Sequence, residues 1–232
     1  MMRKKEQYAA LIDYFEREMP EVETELRYAS PFQLLVAVVL SAQCTDKRVN
    51  LVTPGLFAHY PTAADMAAAD AADVLRHISS VSYPNSKARH LVGLARMLVD
   101  DYGGEVPSAH DDLVRLPGVG RKTANVVQAV VWNKSTMAVD THIFRVAHRL
   151  GLVGGRATTP YAVERELTRH LPPEVIPRAH HWLLLHGRYV CQARRPRCQA
   201  CGLKEWCKTW KSRARSGEEP GAKKTPLQEN TN

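Results

Sequence analysis

The sequence predicts an all-α fold, and three observations carry the prediction. Apolar residues recur at helical spacing: from Ser86 to Asp101, Ala88, Leu91, Val92, Ala95, Leu98 and Val99 follow the i, i+3, i+4, i+7 pattern until Gly103-Gly104 stops it. Capping residues stand before several apolar runs. No window shows four or more alternations of β-branched or aromatic residues with polar ones, and no Asn-Gly or Asp-Gly pair joins two such runs.

Taken in order, the first clear start is Ser30-Pro31, ahead of the run Leu34 to Leu40. The serine can accept a first-turn amide, and proline suits the first helical position. Thr62 with Asp65 three residues on has the spacing of a capping box. The amphipathic helix of Ser86 to Asp101 follows. Ser108 with Asp111 opens a short helix over about residues 109–115, a second, apolar helix covers about 121–131, and Thr159-Pro160 starts another. The connections Tyr60-Pro61, Ser82-Tyr83-Pro84-Asn85, Tyr102 to Pro107 and Gly151 to Pro160 are short and rich in turn residues, and no repeat occurs at solenoid spacing. From about residue 212 the chain is polar and charged with almost nothing to bury, so residues 212–232 are expected to be disordered.

With 232 residues the chain holds one large domain or two small ones. It carries 32 Lys and Arg against 24 Asp and Glu, a formal charge of +8, with a pI near 9.4. Residues 208–232 contribute six basic and three acidic residues, so the remainder is itself basic at +5. A polyanionic partner follows from that excess. The longest apolar runs, Leu34 to Leu40 and, with Gln128 overlooked, Val126 to Trp132, fall short of the ~20 residues a membrane span requires. The start, Met-Met-Arg-Lys-Lys-Glu-Gln, has basic residues without an apolar region after them, so an intracellular, reducing location is expected.

In such a compartment clustered cysteines suggest metal before disulfide. Cys191, Cys198, Cys201 and Cys207 have the spacing Cys-x6-Cys-x2-Cys-x5-Cys, whereas Cys44 stands alone and reads as a small buried thiol. Four thiolates can hold a tetrahedral zinc ion or a [4Fe-4S] cluster, and spacing alone leaves both open. Between Arg188 and Arg215 lie nine basic residues and one acidic residue, Glu205, a density suited to phosphates. His180, His181 and His186 lack the i, i+4 spacing of a zinc helix and, interleaved with Trp182 and Leu183 to Leu185, read as structural; His142 is read the same way.

The most informative stretch is Leu116-Pro117-Gly118-Val119-Gly120-Arg121-Lys122-Thr123-Ala124, a glycine turn opening onto a helix N-terminus. Gly118 and Gly120 permit backbone conformations and close approach that let successive amides face an anion such as a DNA phosphate. An ordinary helix-to-helix turn is the alternative. A lysine becomes a nucleophile only when its ammonium is destabilised, and Lys122 lies in the first turn, where the helix dipole disfavours a cation. It can equally make a plain phosphate contact. Asp140, before Thr-His-Ile-Phe-Arg-Val, reads as a helix N-cap, and a held carboxylate there can also stabilise developing positive charge.

The hairpin string resembles the helix-hairpin-helix of the endonuclease III family of DNA glycosylases. Further matches follow in order: Leu-Ser-Ala-Gln (40–43), Asn-Ser-Lys-Ala (85–88), Val-Asp-Thr-His-Ile-Phe-Arg-Val (139–146), His-His-Trp-Leu-Leu-Leu-His-Gly-Arg (180–188) and the four cysteines, together covering roughly residues 25–210. The resemblance implies two helical lobes with a DNA-binding cleft between them. Residues 24–134 would form a six-helix barrel carrying the hairpin, and residues 1–23 with 135–211 the iron-sulfur lobe.

It also implies a bifunctional DNA glycosylase and abasic-site lyase of base excision repair, a bacterial cytoplasmic monomer at the nucleoid. The implied substrate is double-stranded DNA with an oxidised pyrimidine or an abasic site, and no membrane is involved. Lys122 would attack the sugar C1′ and Asp140 would assist. Leu116, Gly118, Val119, Gly120, Arg121 and Lys122 would meet DNA, and Cys191, Cys198, Cys201 and Cys207 would hold a [4Fe-4S] cluster. Gln43 matches the glutamine that fills the gap left by an extruded nucleotide. Tyr83 falls at the second wedge, where the family commonly has a large apolar residue and then tyrosine; here Ser82-Tyr83-Pro84 makes the loop stiffer and the wedge more polar. The alternatives are a monofunctional mismatch glycosylase, against which Lys122 argues, and a non-catalytic helix-hairpin-helix DNA-binding module.

Overall fold

A computed structural model describes residues 3–216, and every regular element among them is helical. The α-helices are α1 (Lys4–Glu18), α2 (Pro31–Ser41), α3 (Asp46–His59), α4 (Ala63–Ala67), α5 (Ala71–Ile78), α6 (Pro84–Tyr102), α7 (His110–Arg115), α8 (Arg121–Trp132), α9 (Thr141–Leu150), α10 (Pro160–His170), α11 (Ile176–Tyr189) and α12 (Lys208–Arg215). Short 3-10 turns occur at Pro173–Val175, Cys198–Ala200 and Lys204–Trp206. Among the described residues no helix is long and apolar enough to cross a membrane. The chain divides into two compact units, one formed by Glu23–Ala138 with Pro173–Pro177, the other by the segment up to Val22, by Val139–Pro172 and by the chain from Arg178 onward.

Local signals set most helix starts. Ser30 accepts a hydrogen bond from the Gln33 amide at 3.2 Å, Thr62 and Asp65 form a reciprocal capping box, and Thr159 accepts from the Ala162 amide at 3.2 Å. Ser108 behaves otherwise. The residue before α7 is Ala109, which makes no side-chain cap, and the Ser108 carbonyl instead accepts from Gln128 Nε2 at 2.8 Å and from Lys134 Nζ. The competing use is tertiary: two donors from α8 and its C-terminal turn hold this carbonyl beside the start of α7.

In the first unit α2 is the central helix. All of Leu34 to Leu40 is buried together with Phe32, so no polar face remains and neighbouring helices must pack around it. Val49, Leu56, Met66, Val74 and Ile78 from α3 to α5 join this core, as do Ala88, Leu91, Ala95 and Leu98 from α6. Each large side chain so buried contributes about 1.5–3 kcal/mol. Helix α6 ends where Gly103 and Gly104 take left-handed conformations, φ +62° and +86°.

In the second unit α1 packs on α11 through Phe15 stacked on Trp182, ring centroids 5.6 Å apart, with Trp182 Nε1 donating to the Met19 carbonyl. Lys4 Nζ donates to the carbonyls of Gly151 and Leu152 at 2.7 and 2.6 Å, closing the C-terminus of α9. His180, His181 and His186 are buried on α11, and burial lowers the pKa of both His181 and His186 to about 4, so these rings are neutral. Helix α12 runs to Arg215, into the segment expected to be disordered from residue 212; Cys207 caps its start, accepting from the Trp210 amide at 3.5 Å. The rest of that segment, 217–232, lies outside the described residues.

Candidate functional site

The hairpin between α7 and α8 is anchored by its two apolar residues. Leu116 and Val119 are buried, and the Val119 amide donates to the Leu116 carbonyl at 3.0 Å. Whatever these two residues offer a ligand is therefore main chain, because their side chains hold the turn in place. Gly118 is required twice over: its φ is +79°, and a Cβ there would come within 2.9 Å of the His90 side chain on α6. Pro117 lies against Gly93 of the same helix.

Gly120 departs from the sequence reading. Its backbone is extended, φ −96° and ψ 176°, and nothing lies within 4 Å of a Cβ placed on it. Its use is the open space it leaves at the start of α8, where no side chain caps the first-turn amides. Uncapped amides and the positive end of the helix dipole make this a site for an anion. Replacing Gly118 with alanine is expected to destabilise the protein by about 1–3 kcal/mol through backbone strain and the His90 clash, whereas Gly120→Ala should change stability by less than about 1 kcal/mol. Urea denaturation of both variants measures the contrast.

Arg121 and Lys122 are exposed on the first turn of α8. No packing within its own unit covers Lys122, so desolvation of its ammonium requires a bound ligand. Asp140 belongs to the other unit, half-buried at the start of α9. Its Oδ1 accepts from the Ile143 amide at 2.8 Å, which fixes the carboxylate and leaves Oδ2 outside the cap. The connection between α8 and Ala138 is pinned to α8 itself: Thr136 Oγ1 donates to the Asn125 carbonyl at 2.7 Å, and the buried Asn125 amide donates to the Met137 carbonyl at 3.3 Å.

Gln43 and Tyr83 are both exposed, Tyr83 by 65%, and both stand in the left-handed region, with φ of +54° and +55°. That shared strain is invisible in the sequence, since neither residue type signals it. Ser82 Oγ donates to the Gln43 carbonyl at 2.7 Å, and the buried Lys87 Nζ donates to the carbonyls of Leu40 and Ala42 at 2.8 and 2.7 Å. Both donors were missed in the sequence. A lysine on the apolar side of a helix is the one available hint, because it must bring its charge to buried acceptors.

All four clustered cysteines line one cavity, bounded also by Leu150, Val190, Pro196 and Trp210. Among the described residues no three Cys, His, Asp or Glu side chains converge tightly enough for a single ion. The donor set itself, four thiols around one cavity, is that of either a tetrahedral zinc ion or an iron-sulfur cluster. Burial raises the pKa of Cys198 and Cys207, and that of Cys201 to about 11.

Two arginines of α9 brace the first part of the loop. Arg145 donates to the carbonyls of Cys191 and Gly187 at 3.0 and 2.8 Å, and Arg149 to those of Gln192 and Ala193 at 2.7 and 2.8 Å. Gly202 passes the Tyr14 ring so closely that a Cβ would lie 2.3 Å from it. His186 Nε2 stands 3.8 Å from Cys201 Sγ. Cys44, outside this group, packs half-buried against the core of the first unit.

The chain is similar to known proteins in both sequence and fold. Residues 36–173 match the family model of the HhH-GPD superfamily base excision DNA repair proteins. Endonuclease III of Rickettsia conorii is 46% identical over 197 residues, 85% of this chain and 93% of that protein. Endonuclease III of Bacillus subtilis is 44% identical over 198 residues, 85% and 90% of the two chains. Among solved structures, a trapped endonuclease III–DNA covalent intermediate superposes with a TM-score of 0.86 at 42% identity, covering 92% of this chain and all of that one.

Proposed function

Because the chain belongs to the HhH-GPD superfamily and, within it, to the endonuclease III family, we propose that it removes oxidised pyrimidines from duplex DNA and cleaves the strand at the resulting site. It is a base excision repair DNA glycosylase and lyase. The observation that carries the reading is the uncapped start of α8 directly after the hairpin, with Lys122 exposed on its first turn.

DNA is the polyanion that the +8 charge calls for. A phosphate seated on the hairpin amides brings the backbone to Lys122, and covering the lysine with DNA supplies the desolvation its own unit does not. The damaged nucleotide must leave the stack before its glycosidic bond can be reached; Gln43 stands exposed to fill the place it vacates, and Tyr83 stands exposed to meet the opposite strand. The Lys122 amine attacks C1′ as the base departs with the bonding electron pair and takes up a proton. Positive charge developing on the sugar is stabilised by the Asp140 carboxylate, which also accepts the proton shed by the lysine nitrogen. The sugar ring opens to an imine on Lys122, loss of a C2′ proton expels the 3′ phosphate by β-elimination, and hydrolysis frees the lysine.

Cys191, Cys198, Cys201 and Cys207 would hold a [4Fe-4S] cluster. Bound there, it ties the loop between α11 and α12 together and presents its arginines and lysines to phosphates; the chemistry needs no electron from it. The protein works as a monomer in the bacterial cytoplasm, at the nucleoid. Cys201→Ser is expected to lose the brown colour and most of the bound iron and to lower the thermal midpoint by several degrees, read by visible absorbance, iron analysis and calorimetry.

The test of the function is borohydride trapping on a duplex with one thymine glycol. A covalent protein–DNA adduct and a cleaved strand are expected, with neither on undamaged duplex. An unmodified strand and no adduct, on this duplex and on one with a plain abasic site, would remove the proposal.

A further inference from the structure

Two exposed side chains in the first unit spring from left-handed backbone that their residue types disfavour, and a pair of hydrogen-bond donors lies directly behind them. Gln43 (φ +54°) follows the end of α2, and Tyr83 (φ +55°) precedes α6. A non-glycine residue is strained in this region, so each conformation persists only if its surroundings impose it. The imposing element for Tyr83 is not Pro84, which opens α6 at its first position and favours extended backbone in the residue before it. For Gln43 the imposing element is the α6 segment itself. Ser82 Oγ donates to the Gln43 carbonyl at 2.7 Å, and Lys87 Nζ donates to the carbonyls of Leu40 and Ala42 at 2.8 and 2.7 Å. Lys87 is only 5% exposed and burial lowers its pKa, so its charge is tied to these carbonyls at the C-terminus of α2, where a cation is favoured.

We propose that Ser82 and Lys87 are positioning residues that clamp the Gln43 turn to the Tyr83 turn, so that the two side chains enter DNA as one blade rather than as independent probes. The inference deepens the glycosylase reading and rests on it for what the blade does. Its physical content is the carbonyl of Gln43. That oxygen is bonded to the residue next to Tyr83, so displacing either tip moves the acceptor or the donor of the same hydrogen bond. A rigid pair inserts at a lower entropic cost than two mobile side chains would. It also fixes the separation between the residue occupying the vacated stack and the residue meeting the opposite strand, making the base opposite the lesion part of recognition.

Ser82→Ala removes the donor, and Ser82→Thr keeps a hydroxyl in its place. Each is bound to a duplex bearing a tetrahydrofuran abasic analogue opposite 2-aminopurine, whose fluorescence rises when it is unstacked. Base removal from thymine glycol is measured separately under single-turnover conditions. Ser82→Ala is expected to lose most of the fluorescence rise and to slow base removal about fivefold, the equivalent of one neutral hydrogen bond. Borohydride trapping on a ready-made abasic site should stay near the wild-type level, and Ser82→Thr within twofold of wild type in every assay. Lys87→Met, with thermal unfolding as a control for folding, should show the same pattern more strongly.

Wild-type fluorescence and wild-type base removal in Ser82→Ala would overturn the clamp. So would equal losses in Ser82→Ala and Ser82→Thr. Failure of the glycosylase reading is a different result, the absence of any adduct with the wild-type protein, and in that event the fluorescence arm still decides the clamp because it needs only DNA binding.

Discussion

Lys122→Ala is expected to abolish the covalent adduct with lesion DNA under borohydride and to reduce base removal by at least about 10³-fold, the scale at which loss of a nucleophile strips a site of its chemistry. Binding should weaken far less. The proposed phosphate seat is the hairpin built from Leu116, Val119, Gly118 and the α8 amides, and none of these changes. Losing one cationic contact out of many costs about tenfold or less near physiological salt and lowers the salt slope by about one. Stability should be unaffected, because the side chain is exposed and carries no part of the core. An electrophoretic adduct assay alongside a salt titration of affinity separates the two roles a lysine can play at this position. If adduct formation survives and only the salt slope changes, Lys122 is a phosphate contact and another amine is the nucleophile.

Asp140→Asn is expected to slow base removal by about 10²–10⁴-fold with almost no change in folding stability. The separation is possible because Asp140 has an observed task and a proposed one. As an N-cap its Oδ1 accepts from the Ile143 amide, and asparagine caps a helix as well as aspartate does. As a carboxylate it supplies charge, which asparagine cannot. Asp140→Ala removes both, so it should match the asparagine variant in rate and in addition lose about 1 kcal/mol of stability. Single-turnover excision and urea denaturation on the three proteins measure this. Equal stability losses in both variants, with excision intact, would reduce Asp140 to its cap.

Much of the architecture is legible in the sequence because its causes are local. Ser30, Thr62 and Thr159 start helices by reaching amides three residues away, and Gly103 ends α6 through its own φ. A capping serine at 108 was read by the same rule and was wrong. Its carbonyl is instead held by Gln128 and Lys134, twenty and more residues downstream, and α7 starts without a side-chain cap. Gly118 and Gly120 read alike in the sequence, as permitting unusual backbone and close approach; the structure divides the two uses, an αL backbone at Gly118 and open space over an ordinary backbone at Gly120.

What the sequence determined by itself is the helical class, the position of the hairpin, and the residue types that bear chemistry: an amine after a glycine turn, a carboxylate at a helix start, four thiols within seventeen residues. These follow from near-neighbour geometry and from the reactivity of single groups. Tertiary structure alone decided which of those residues are held, and by what. His90 makes Gly118 irreplaceable, Tyr14 does the same for Gly202, Arg145 and Arg149 brace the cysteine loop from α9, and Ser82 with Lys87 fastens two strained turns together. Each of these contacts joins residues many positions apart. They form because burial brings distant segments into register and leaves every buried donor and acceptor in need of a partner, a condition set by the packed core and not by any short stretch of sequence.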